Sequence, residues 1–192
     1  MNILIIQGHP DNERQDHFCH ALAEAYRLAA QSAGNSVDTL DLALLDFPIL
    51  RNESQWSKET APESILDAQQ RIQNADHLLF VFPLWLGTMP ALVKAFLEQT
   101  LRPDFAFDQG ARDGHGKRLL KGKSARVMIS MGMPALAFRW FYQAHGYRYL
   151  KRNILQFCGV KPVRASLIGL VGSEKRRKIW LEKVARLGAR GG

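Results

Sequence analysis

The 192-residue sequence predicts an α/β fold: a five-stranded parallel sheet with helices on both faces, forming one domain over residues 1–192. Three observations carry that prediction. Five short apolar runs alternate with segments of helical period. Two of those runs, NILIIQ and HLLFVF, are apolar almost throughout, as strands buried on both faces are. No repeat, low-complexity tract or linker interrupts the alternation, and each right-handed crossover must lay its helix against the sheet.

Residues 2–7 form the first strand, read as central, and end in a Gly8-His9-Pro10 turn. Phe18, Leu22, Ala25 and Ala29 then recur at spacings of three and four, which predicts a helix that stops near Gly34-Asn35. Residues 37–42 are the second strand, and Ile65, Ala68, Gln69 and Ile72 mark a weaker helix. The third strand is 77–82. Leu92, Val93, Phe96 and Leu97 face one way along a helix that ends before Pro103. A fourth strand at 124–131 is followed by a long aromatic-rich segment, a fifth strand at 161–168, and a closing helix carrying Trp180, Val184 and Leu187. Residues 46–61 and 102–123 fit no element and are longer than ordinary connections, which marks them for function or subunit contact.

Hydrophobic residues make up 46% and charged residues 23% of the chain, which excludes a largely disordered, collagen-like or membrane-embedded protein. No apolar run approaches the roughly 20 residues of a spanning helix, and Met1 leads into the first strand without a basic leader. The expectation is a cytoplasmic protein without integral membrane association. Cys19 and Cys158 form no C-x-x-C pair and are expected to be packed free thiols. Charge is unevenly spread. Residues 1–101 hold 6 Lys and Arg against 13 Asp and Glu, whereas 102–192 hold 20 against 5. A basic field of that size attracts anions in general, so it names no specific partner, nucleic acid included.

In an open parallel sheet, ligands collect beyond the carboxyl ends of the strands, where strand order reverses. Three turns meet that condition. Gly8-His9-Pro10-Asp11 leads to a helix N-terminus, where free N–H groups favour a phosphate, with His9 and Arg14 as side-chain donors. Pro83-Leu84-Trp85-Leu86-Gly87 offers a flat ring and a restrained backbone, and Met131-Gly132-Met133 lets a ligand edge approach the main chain. Together they describe a nucleotide-like ligand; plain strand ends are the competing reading. Neither G-x-G-x-x-G nor G-x-x-x-x-G-K-[ST] is present, which argues against a dinucleotide Rossmann site and a P-loop. His9, His17, His20 and Cys19 match no common zinc spacing, so no metal is expected.

Gly8-His9-Pro10 with 17–22 (HFCHAL), 83–94 (PLWLGTMPALVK), Phe105-Ala106-Phe107, His145-Gly146 and 153–159 (NILQFCG) resemble the NAD(P)H:quinone oxidoreductases, over residues 1 to about 168. The resemblance implies a flavodoxin-like three-layer sandwich with strand order 2-1-3-4-5. It further implies noncovalent FMN or FAD, NAD(P)H as electron donor, a quinone-like acceptor, ping-pong hydride transfer, and a homodimer with its site at the subunit boundary. By position, His9, Phe18 and Cys19 lie on the phosphate loop, Pro83 to Leu86 against the flavin ring, and Met131 to Met133 at its polar edge. His145 is the implied proton-handling residue, and Phe105, Phe107 and Trp140 are candidates for the acceptor pocket. Two positions depart from the family. His17 and Cys19 replace the Ser and Asn of an S-F-N stretch, so either Arg14 and His17 hold the phosphate instead or binding is weaker. Arg139 stands where some relatives carry a Tyr six residues before the active-site His. A flavin-binding ancillary subunit of a membrane transporter, docked through the basic half, is the alternative; a one-electron flavodoxin carrier is a third.

Overall fold

The computed structural model describes residues 1–11, 13–14, 16–108 and 117–191. The part of the Gly-rich segment at 110–116 therefore lies outside the described residues. Five strands, β1 (Asn2–Gln7), β2 (Ser36–Asp41), β3 (His77–Pro83), β4 (Ser124–Ser130) and β5 (Val163–Ile168), form one sheet in the order β2-β1-β3-β4-β5. Every pairing is parallel; Ile5 of β1 stands beside Thr39 of β2 and Leu79 of β3. Ile3 to Ile6 and Leu78 to Phe82 are at most 2% exposed, so both faces of these strands are covered, as their unbroken apolar runs require.

Helices α1 (Phe18–Ser32) and α8 (Glu174–Ala189) pack together on one face, over Ile3, Ile5, Leu79, Val81 and Met128. Gly188 makes that packing possible, because a Cβ there would lie 2.4 Å from the Tyr26 carbonyl oxygen. On the other face lie α3 (Glu63–Asn74) and α4 (Ala91–Thr100), followed by a helical run. That run comprises α5 (Ala135–Trp140), α6 (His145–Tyr149), a π-helical turn (Leu150–Leu155) and α7 (Gln156–Cys158). The aromatic-rich segment is therefore helical.

Several expected boundaries move. Leu42, Met131, Lys161 and Pro162 fall outside their strands, and β3 extends to Pro83. The stretch 46–61 contains a short helix, α2 (Glu53–Ser57), capped by the Asn52 side chain accepting the Gln55 N–H at 2.9 Å. In α1 the fully buried residues are Cys19, Leu22, Ala23, Tyr26 and Ala30; of the expected stripe Leu22 is among them, while Phe18 and Ala25 pack only partly buried against the same core. The helix is rotated because α8 covers its Tyr26 side, and small alanines on several faces left the sequence pattern ambiguous. Both cysteines are buried free thiols. Among the described residues, no helix is long and apolar enough to cross a membrane.

Candidate active site

The switch point lies between β1 and β3, whose neighbours run in opposite directions across the sheet. Three loops converge on it from the carboxyl ends of β1, β3 and β4. The first is tied to the sheet by the Gly8 N–H, which donates to the Val81 carbonyl at 2.8 Å. Gly8 itself is required: a Cβ would meet Val93 Cγ2 at 2.5 Å.

The phosphate end of the predicted site forms at α1. Its N-cap, His17, makes no side-chain cap, the first turn carries no acidic residue, and the Phe18 and Cys19 N–H groups have no acceptor among the described residues. Those are the open donors an anion requires. His9 stacks on His17 with ring centroids 3.8 Å apart, and His20 lies 5.8 Å from His9. The His9 Nδ1 accepts the Asp11 N–H at 3.3 Å, so the neutral ring has its proton on Nε2, free to donate. Burial, then the neighbouring His17 and His20, pull the His9 pKa below the usual imidazole value.

Other predicted donors are placed differently. Arg14 is an exposed fork on Asp16, at 3.0 and 2.7 Å, instead of turning toward the helix. The His17 Nε2 meets the Asp11 carboxylate at 2.6 Å, and that bond holds Asp11 below the usual carboxylate range. Phe18 lies under the Arg177 guanidinium at 5.5 Å. The Cys19 side chain is not on the loop: it is 2% exposed, with Sγ 3.2 Å from the Ser130 hydroxyl, and burial pushes its pKa up to about 11. Only its backbone N–H faces the site.

At the planar end, Trp85 and Thr88 exchange two backbone hydrogen bonds of 3.0 Å around Leu86 (φ 46°) and Gly87 (φ 82°). This is the two-residue turn with both central residues left-handed, here with an exposed leucine at its tip. The Leu84 N–H is spent on Ser130 and the Trp85 N–H on Thr88, which leaves the Leu86 and Gly87 amides without acceptors. Likewise Met131 donates to Ile168, while the Gly132 and Met133 amides remain open. Gly132 has free space where a Cβ would stand. His145 is exposed at the start of α6 and is carried to this end by Gly146, which packs so tightly on the turn that a Cβ would meet the Gly87 oxygen at 2.4 Å.

The acceptor-pocket candidates are not gathered here. Phe107 packs edge-on to Phe157 at 5.1 Å and beside Trp56 at 6.1 Å, Phe105 leans on the core, and Trp140 is 73% exposed. Sequence reasoning missed Gln7 and treated His20 only as a metal candidate. Gln7 is 2% exposed; its Oε1 accepts the His9 N–H at 3.1 Å, and among the described residues neither its Nε2 nor the two buried His20 nitrogens have a hydrogen-bond partner, although the His20 Nε2 lies 3.7 Å from an Asp41 carboxylate oxygen. A glutamine ending an otherwise apolar strand was the available signal. Among the described residues, no group of three or more His, Cys, Asp or Glu side chains is arranged to hold a metal.

A parallel 2-1-3-4-5 sheet with open amides at its switch point defines a flavodoxin-like α/β protein. A family profile described as flavodoxin-like fold matches residues 1–190, and the chain belongs to that family. Among its relatives is an uncharacterized NAD(P)H oxidoreductase of Haemophilus influenzae, 30% identical over 97% of this chain and 93% of that protein. By that near full-length relationship the chain is an enzyme of the oxidoreductase class. The mouse ribosyldihydronicotinamide dehydrogenase [quinone] is 30% identical over 71% of this chain and 61% of its own length, so the chain spans under two thirds of that larger relative. An FMN-dependent NADH:quinone oxidoreductase of Ruegeria pomeroyi is 28% identical over 62% of this chain and 65% of that protein. A Streptococcus mutans crystal structure superposes with a TM-score of 0.83 at 28% identity, covering 99% of this chain and 100% of that one.

Proposed function

We propose that the chain is a flavin-dependent two-electron oxidoreductase that holds FMN noncovalently, draws electrons from NAD(P)H and reduces a quinone-like acceptor. One observation carries this reading. Open backbone donors occur, among the described residues, beyond the carboxyl ends of neighbouring strands: Phe18 and Cys19 at the uncapped start of the helix after β1, Leu86 and Gly87 after β3, and Gly132 and Met133 after β4. That pattern suits a ligand with a phosphate at one end and a planar, hydrogen-bonding ring at the other. The names of the relatives support the same cofactor, donor and acceptor classes.

A bound flavin supplies the electron-transfer chemistry. The chain's own residues bind and orient. The α1 N-terminus and the His9 Nε2–H hold the phosphate, the Trp85–Thr88 turn and the Met131–Met133 loop fix the ring, and donor and acceptor take turns on the same face. His145, exposed above the turn, holds and delivers the proton that a reduced quinone oxygen takes up. A second copy of the chain completes the acceptor pocket in this reading, because Trp140, Phe141 and Tyr142 are exposed at the end of α5, the helix that follows the Met131–Met133 loop.

Denaturing the purified protein and identifying the released flavin by mass tests the reading, with FMN the expected result. Protein that releases no flavin and takes up neither FMN nor FAD would overturn it. With both substrates varied, double-reciprocal plots should be parallel; intersecting lines would remove the shared-face scheme. Sedimentation should give a dimer.

A further inference from the structure

A cleft of about 650 Å³ opens between α5, α6, the π-helical turn and the edge strand β5, and none of its lining residues belongs to the three loops of the candidate active site. Its floor is apolar, with Ala165 and Leu167 of β5 and the ring of Tyr147. Tyr147 is fixed by its hydroxyl, which donates to the Val163 carbonyl at 3.1 Å. Around this floor stand four cations, Arg139, Arg148, Lys151 and Arg152, and among the described residues no carboxylate lines the cleft.

Arg139 lies 5.9 Å from the Trp140 ring and Lys151 5.8 Å from the Tyr147 ring; among the described residues, none of the four pairs with an acid. Lys151 and Arg152 stand three and four residues after Arg148, so like charges crowd one helical face, an arrangement that destabilises a helix unless an anion relieves it. The helix is also irregular at this point. Lys151 and Arg152 belong to the π-helical turn, a conformation that is rare and concentrates at functional sites.

We propose that this cleft binds a small organic polyanion: two or more phosphate groups held by the guanidinium forks and Lys151, with an apolar or aromatic body against Tyr147, Ala165 and Leu167. Guanidinium matches phosphate oxygens two at a time, and the volume is that of a nucleotide-sized ligand. The site is separate from the flavin crevice and does not depend on that reading.

Titration calorimetry with ATP and with inorganic pyrophosphate, each with and without saturating FMN to block the loops, tests the proposal. One ATP per chain is expected, bound more tightly than pyrophosphate, weakened by salt and unaffected by FMN. The double variant Arg148→Gln/Arg152→Gln should weaken ATP at least tenfold, whereas Arg176→Gln/Lys178→Gln on α8 should change it less than twofold. All of these side chains are exposed, so neither variant should unfold below the wild-type temperature. Absence of ATP binding, or an equal loss in the two variants, would overturn the site. So would binding of phosphatidylserine vesicles without ATP binding, which would give the basic face to a membrane surface instead.

Discussion

His77 opens β3 only 3% exposed, with Nδ1 2.7 Å from the Ser124 hydroxyl and Nε2 without a partner. Burial, then Arg126 and Arg164, lowers its pKa to about 4, while in the unfolded chain it titrates near the ordinary imidazole value. The folded pKa is the lower one, so the unfolded state binds the extra proton and stability falls as pH drops from about 6.5 toward 4. The loss is of the order of 3 kcal/mol. Denaturant midpoints between pH 7 and 4 should show this, and His77→Gln should flatten that part of the profile. The thiols give a second expectation: burial pushes Cys19 to about 11 and Cys158 to about 12, so at pH 8 neither reacts with a disulfide reagent until denaturant exposes both. At the candidate site, a phosphate beside His9 opposes the burial and neighbouring imidazoles that lower its pKa, so binding takes up a proton. Flavin affinity should therefore rise as pH falls from 8 to 6, by no more than about tenfold per pH unit for one proton, and His9→Gln should lose that slope. His145→Ala should cut turnover by about 100-fold and leave flavin retention intact; an unchanged rate would assign His145 to packing.

Among the elements, two contacts with no room for a methyl group decide how the layers meet. Gly188→Ala drives a Cβ against the Tyr26 backbone, so α8 must lift from α1. A cost of about 1–3 kcal/mol, read from thermal unfolding, is expected. Gly146→Ala acts on the site instead, since its Cβ would strike the turn at Gly87 and Thr88. Weaker flavin binding with a smaller change in unfolding temperature is the expected pair of results, and normal flavin binding would show that the turn yields freely.

For the whole molecule, both apolar cores rest on one sheet, with β1, β3 and β4 contributing side chains to each. Neither layer can open without exposing the other's floor, so circular dichroism and tryptophan fluorescence should report one coincident unfolding transition. Two separated transitions would contradict a single domain. Among the described residues the ion pairs lie within 11–98, and the cations around the β5 cleft have none.

Strand and helix order was legible because burial on two faces demands unbroken apolar runs and helix burial demands a period near 3.6; NILIIQ and HLLFVF admit few other structures. The three loop positions followed from the same order, since parallel strands bring their carboxyl ends to one edge. What each loop side chain does was decided by neighbours distant in sequence. Ser130 draws Cys19 inward, while Phe157 and Trp56 pack around the Phe107 ring. Gly87 and Gly146, 59 positions apart in the chain, come together to carry His145 to the turn. Periodicity records which face of an element is buried; contacts between elements depend on packing that no local pattern encodes, and so only the tertiary structure could decide them.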